Sequence, residues 1–156
     1  MGAPLYTLTP AVSAALSAGV ARTILGIKSG ATFGLVLKEW RVGFDGVTAG
    51  ATPVLVELLR STWATNSPGT ASSAITPAQV GGRVLAHGIT GGRDWTTEPT
   101  VLEQLEAVPF IHPQAGFIVQ MPLGDEYDCD LAHGFVIRVT APQAVNARGF
   151  LKWQRA

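Results

Sequence analysis

The stretch Glu39-Trp40-Arg41-Val42-Gly43-Phe44 decides how this chain is read. Trp40, Val42 and Phe44 alternate with Glu39, Arg41 and Gly43, and a period of two puts each set on its own face of an extended strand. A helix would need its apolar positions three and four apart. The next apolar segment, Pro53-Val54-Leu55-Val56-Glu57-Leu58-Leu59-Arg60, alternates too, but both of its faces are mostly apolar. Such a strand needs cover on both sides, as in a sandwich or at a subunit interface. Leu55 and Leu59 are accordingly candidate contacts with a partner.

Outward from this centre the β pattern continues. Arg22–Ile27, Phe33–Phe44, Arg83–Ile89, Thr100–Phe110, Gly116–Leu123, Gly134–Thr140 and Ala147–Gln154 all read as strands. Phe117, Val119, Met121 and Leu123 share one face, as do Phe135, Ile137 and Val139, and then Leu151 and Trp153. Pro99, Pro109, Pro113, Pro122 and Pro142 stand at or near the ends of these runs, where a missing N–H is tolerated. Asp45-Gly46 and Gly88–Arg93 read as turns. No internal repeat appears, which argues against a propeller or solenoid. The expected fold is all-β, a two-sheet jelly-roll β-sandwich over residues 20–156.

Two segments stand apart. Residues 1–19 are small and almost uncharged, and Pro4 and Pro10 oppose regular structure around them. They read as an extended N-terminal arm whose apolar anchors, Leu5, Tyr6 and Leu8, are candidate contacts with a larger scaffold. Residues 61–81 carry no charge and form a long loop, with Thr76-Pro77 able to start a brief helical turn. Trp63 within it is a candidate partner contact, because a large aromatic on a loop covers the end of a core or meets another molecule.

The 156 residues include 11 Lys+Arg against 11 Asp+Glu, and only 14% are charged, against about 25% in an ordinary domain. No basic surplus points to nucleic acid or an anionic membrane. With neither high nor net charge to keep copies apart, the chain is expected to associate. No run approaches the roughly 18 apolar residues of a membrane span, and no basic segment precedes an apolar stretch as in a secretory signal.

The chemistry-bearing residues are sparse. A single cysteine, Cys129, excludes an internal disulfide, and the carboxylates around it disfavour a thiolate. His87, His112 and His133 each stand alone, without the His-x-His pair and nearby Glu that a cupin-type metal site uses. Asp125, Glu126, Asp128 and Asp130 are the densest charge, but no glycine within the run lets it fold round a calcium ion, and a solvated strand edge is expected. No Gly-x-Ser-x-Gly occurs, and no serine has a histidine neighbour in sequence. The sequence therefore offers no catalytic residue, metal ligand or cofactor site.

A resemblance is carried by Phe33-Gly34, Glu39-Trp40, Phe44-Asp45-Gly46-Val47, Thr52-Pro53-Val54-Leu55-Val56-Glu57-Leu58, Glu98-Pro99-Thr100, His112-Pro113, Pro122-Leu123-Gly124 and Arg138-Val139-Thr140-Ala141-Pro142. Together these look like the small head proteins of tailed bacteriophages, which include trimeric jelly-roll decoration (cement) proteins. The likeness runs from about Val20 to the C-terminus. It implies a virion subunit without enzymatic activity, assembled in the host cytoplasm. Its partners would be the major capsid protein and its own copies in a homotrimer, on the outer surface of the shell. Two other readings compete with it: a glycan-binding or adaptor module of a head fibre, tail or baseplate, and a cupin-like metalloenzyme.

Overall fold

A computed structural model describes residues 3–45, 52–100 and 102–156, without the side chains of Pro109 and Phe110. Gly46 and Val47, part of one turn and of one resemblance motif, lie outside the described residues, as does the start of the expected arm. Every regular element among the described residues is a strand: β1 (Leu5–Leu8), β2 (Ala14–Leu16), β3 (Ala21–Lys28), β4 (Leu35–Asp45), β5 (Val54–Ser61), β6 (Ser73–Ile75), β7 (Ala78–Gly81), β8 (Thr90–Arg93), β9 (Leu102–Ile111), β10 (Phe117–Gln120), β11 (Asp128–Cys129), β12 (Gly134–Thr140) and β13 (Val145–Arg155). They form two antiparallel sheets. The first runs β10-β4-β13-β1-β7, with β11 beside β4 and β2 beside β13; the second runs β6-β8-β3-β12-β5-β9. One apolar cluster drawn from both sheets fills the space between them, so the fold is a two-sheet β-sandwich.

The deciding strand behaves as its alternation requires, with one change of phase. Trp40 and Val42 point inward, Trp40 standing edge-on to Phe117 with ring centroids 4.7 Å apart. Upstream, Leu35 and Leu37 are also buried, although they occupy the opposite phase. The register explains it: Lys152 pairs with Glu39, but Trp153 pairs with Leu37, so Lys38 is an extra residue in β4. A bulge of this kind turns two successive side chains outward and resets the alternation. Lys38 thereby reaches Glu126 at 2.6 Å.

At each flank of the sandwich the chain switches sheets. Residues 76–77 lead from β6, an edge of the second sheet, into β7, an edge of the first. Residues 112–116 lead likewise from β9 into β10. His87 and His112 are used locally at such bends: each Nδ1 accepts a backbone N–H two residues on, from Ile89 and Gln114.

Three expectations need correction. The first is the arm. Residues 5–8 form β1, hydrogen-bonded between β13 and β7, and Tyr6 and Leu8 are only 1% and 0% exposed within the chain's own core. Tyr6 stacks on Trp153 and donates its hydroxyl to the Leu85 carbonyl. The accessible surface, 7290 Å², is close to the roughly 7,500 Å² of a compact monomer of this mass.

The second is the loop near 61–81, which contains the whole of β6 and of β7. The third is the assignment around Gly88–Arg93. Residues 82–89 are not a strand, whereas Thr90–Arg93 is one. Gly91 and Gly92 are there for close packing: a Cβ on Gly91 would meet Leu8 at 2.9 Å, and one on Gly92 would meet Trp95 at 2.8 Å. Neither has the positive φ of a turn glycine, in contrast to Gly82 and Gly88 upstream.

Candidate functional site

The two outer faces of the sandwich differ, and that difference is the main clue to use. The second sheet is roofed by its own chain. Trp63 and Trp95 stack with centroids 5.8 Å apart and lie with Leu59 and Val136 in a small second cluster over the outer face. Both indoles are anchored: Trp63 Nε1 donates to the Ile27 carbonyl, and Trp95 Nε1 to the Asn66 carbonyl. Glycine makes the seat. A Cβ at Gly26 would stand 2.9 Å from both indole rings, and one on Gly134 would land on the Ile27 carbonyl.

A polar network fastens the roof to β3. The bulge at Ile24 frees the Thr23 N–H, and Glu98 accepts from that N–H and from the Thr23 hydroxyl, both at 2.6 Å. Asn66 donates to the Glu98 carbonyl, and Arg22 donates to the Trp95 carbonyl while pairing with Asp94 at 2.7 Å. Beside the roof, Arg138 grips Glu57 through two hydrogen bonds of 2.8 and 3.1 Å, and this contact raises the guanidinium pKa further.

The first sheet carries no such roof among the described residues. Its outer face carries Ile118, Arg41 and Phe150 in one cross-strand row, then Gln120, Lys152 and Thr7 around the buried Glu39, then Val36, Gln154 and Leu5. Arg41 lies over the Phe150 ring at 4.2 Å and also bonds Glu39. This is a mixed surface of aliphatic, aromatic and long polar side chains, comparable in composition with a non-obligate protein interface.

The residues expected to meet partners are placed as follows. Leu59 and Trp63 are buried in the roof, so they contact their own chain, not a neighbour. Leu55 is half-buried on the outer side of β5. Tyr6 and Leu8 are core residues; Leu5, half-buried, belongs to the open face. Trp63 and Trp95 pack on each other, and neither ring offers the open platform that a sugar stacks on.

The acidic run is dispersed by the fold. Glu126 accepts from Lys38 and from the Gly124 N–H, which hold its carboxyl below the ordinary range. Asp130 caps the Leu131 N–H, and Asp128 lies near Arg60. An open depression of about 440 Å³ at this end is lined by Arg60, Asp128, Cys129, Asp130 and His133, with Gly34 and Ala156. Arg60 is held there by Glu103 and the Asp128 carbonyl. Burial pushes the Cys129 thiol up to about 11, so it is protonated at neutral pH. No group of three His, Cys, Asp or Glu among the described residues is arranged to hold a metal ion. Compared with known proteins, the chain matches no family model, no curated protein and no solved structure.

Proposed function

We propose that this chain is a structural virion subunit that sits, as a homotrimer, on the outside of an assembled tailed-phage capsid and stabilises the shell. The observation that carries the reading is the inequality of the two faces. One sheet is sealed by its own tryptophan roof, whereas the other, among the described residues, leaves Ile118 exposed and Leu5, Val36 and Phe150 half-buried among long polar side chains. A protein built to lie flat on a scaffold needs one finished face and one open one.

The sequence resemblance supports this reading through framework positions. Trp40, Glu39, Gly34, Glu57 and Arg138 are buried, close-packed or ion-paired. The low, balanced charge supports it too, since association on a lattice needs little charge repulsion between copies. The jelly-roll wiring and the localisation on the virion exterior belong to this proposal. Function would be mechanical: many weak contacts, multiplied by the valency of a trimer, hold capsomers together without chemistry.

The test is co-sedimentation of the purified chain with phage heads assembled in its absence. Saturable binding that Phe150→Asp or Arg41→Glu abolishes supports the assignment of the face. Heads that bind no protein at any concentration refute the function, and undiminished binding by both variants refutes the face.

A further inference from the structure

Among the described residues the main path of the first sheet ends at β10 and β7, each only four residues long, with β11 beside β4 and β2 beside β13 off that path. Each carries one exposed aliphatic side chain on the strand and another on the adjoining loop. On the β10 side these are Ile118 and Leu123, 63% and 94% exposed; on the β7 side they are Val80 and Val84, 57% and 92% exposed. Natural proteins shield free edges with charge, bulges or cover, and exposed aliphatic lips do the reverse.

The charges beside the lips are of opposite sign. Asp125 stands two residues after Leu123, and Glu106 of β9 lies across the same flank beside Tyr127. Arg83 precedes Val84, and Arg93 stands on β8, the strand next to edge strand β6. None of these four charges has an ion-pair partner among the described residues, whereas Arg22, Lys38, Arg60 and Arg138 all have one.

We infer that the two flanks are the halves of one junction between copies of this chain, the Ile118/Leu123/Asp125 flank of one molecule docking on the Val80/Arg83/Val84 flank of the next. Complementary charge on opposite sides of one molecule identifies the occupant as a second copy. An acidic lip cannot satisfy an acidic lip, so a two-fold contact of like edges is disfavoured. A head-to-tail junction closes into a ring when the rotation per copy divides a full turn. It rests on the preceding section only for the ring size of three. A standard junction hides about 800 Å² per partner, so using both flanks would cover about a fifth of the 7290 Å² surface.

The experiment is sedimentation equilibrium on the purified full-length chain at micromolar concentration. The wild type is expected as a closed oligomer. Arg83→Glu and Asp125→Arg, both at exposed sites, each weaken assembly at least tenfold with unchanged urea midpoints. The double variant Arg83→Glu/Asp125→Arg, in which the charges are exchanged, reassembles. Oxidation of a Val84→Cys/Leu123→Cys protein links chains covalently, while Val84→Cys alone does not; the buried, protonated Cys129 contributes little background. A monomeric wild type, a double variant no better than the single ones, or efficient linkage of Val84→Cys to itself overturns the junction. Heads that ignore an assembled oligomer sink only the proposed function; heads that bind a monomer sink only this inference.

Discussion

Replacing Gly26 by alanine adds one methyl group at the point where the tryptophan roof meets β3. That Cβ would stand 2.9 Å from the outer ring carbon of Trp63 and of Trp95, and 3.4 Å from the Phe135 carbonyl. Carbon atoms rest about 3.5–4.0 Å apart, so both rings must withdraw by half an ångström or more. They cannot move independently, because they stack on each other and each is tied by its indole N–H. Overpacking of this sort costs about 1–3 kcal/mol. Against it, alanine recovers about 0.5–1 kcal/mol of the backbone entropy that glycine loses in a strand. The central values leave a net destabilisation of about 1 kcal/mol, with an upper end of about 2.5 kcal/mol. In urea, with a slope of about 2 kcal/mol/M, the midpoint falls by about 0.5 M.

Gly43→Ala is the matched control. Among the described residues nothing lies within 4 Å of a Cβ there, so the same change should be neutral or stabilise by up to about 1 kcal/mol. The assay is urea unfolding followed by tryptophan fluorescence, with near-ultraviolet circular dichroism to report the stacked indoles. A Gly26→Ala protein as stable as the wild type, with unchanged indole dichroism, would refute the roof.

Further outcomes follow from the core and the titrating groups. Trp40→Ala, at a fully buried site, should cost about 3–5 kcal/mol by urea unfolding; less than 1 kcal/mol would mean Trp40 faces outward. Deleting residues 1–10 removes β1 from between β13 and β7, so the product should fail to fold, and a cooperative, native-like truncation would return these residues to an arm. Burial raises the folded Cys129 pKa to about 11, above the ordinary thiol value of 9.0, so its contribution is complete below about pH 9 and declines as pH rises toward 11. Cys129→Ala should therefore flatten the alkaline limb of the stability profile, and an unchanged limb contradicts the assignment. Glu126 runs the other way: its lowered pKa contributes stability above the ordinary carboxyl range that is lost on acidification, so Lys38→Met should shallow the acid limb of the same profile.

What the sequence could and could not disclose follows from the physics of each signal. Alternation at Trp40, Val42 and Phe44 marked the inner face of β4 correctly, because burial on one side imposes a period of two. The bulge at Lys38 was invisible, since Leu35 and Leu37 merely look like a second run in the other phase. Leu55 and Leu59 signalled a strand needing cover on both sides, but not what supplied it. Leu59 is met by Trp63 from a loop whose composition looked featureless, and Trp63 adopts a left-handed φ of 55° that no pattern foretells. Tyr6 and Leu8 did alternate, yet the flanking prolines outweighed four residues of pattern. Gly91-Gly92 read as a turn because glycine's two uses, freedom of φ and absence of a side chain, look alike in sequence. The exposed pair of edges was legible only once topology had set β7 and β10 at opposite ends of one sheet.

The central claim, a subunit on the outside of a capsid, is tested most directly by imaging native particles with and without this chain. The account predicts that the difference density lies on the outer surface of the shell, in clusters of three sandwich-sized lobes, each the size of a 16.3 kDa chain. Density confined to the tail, or particles identical in the two samples, would contradict it.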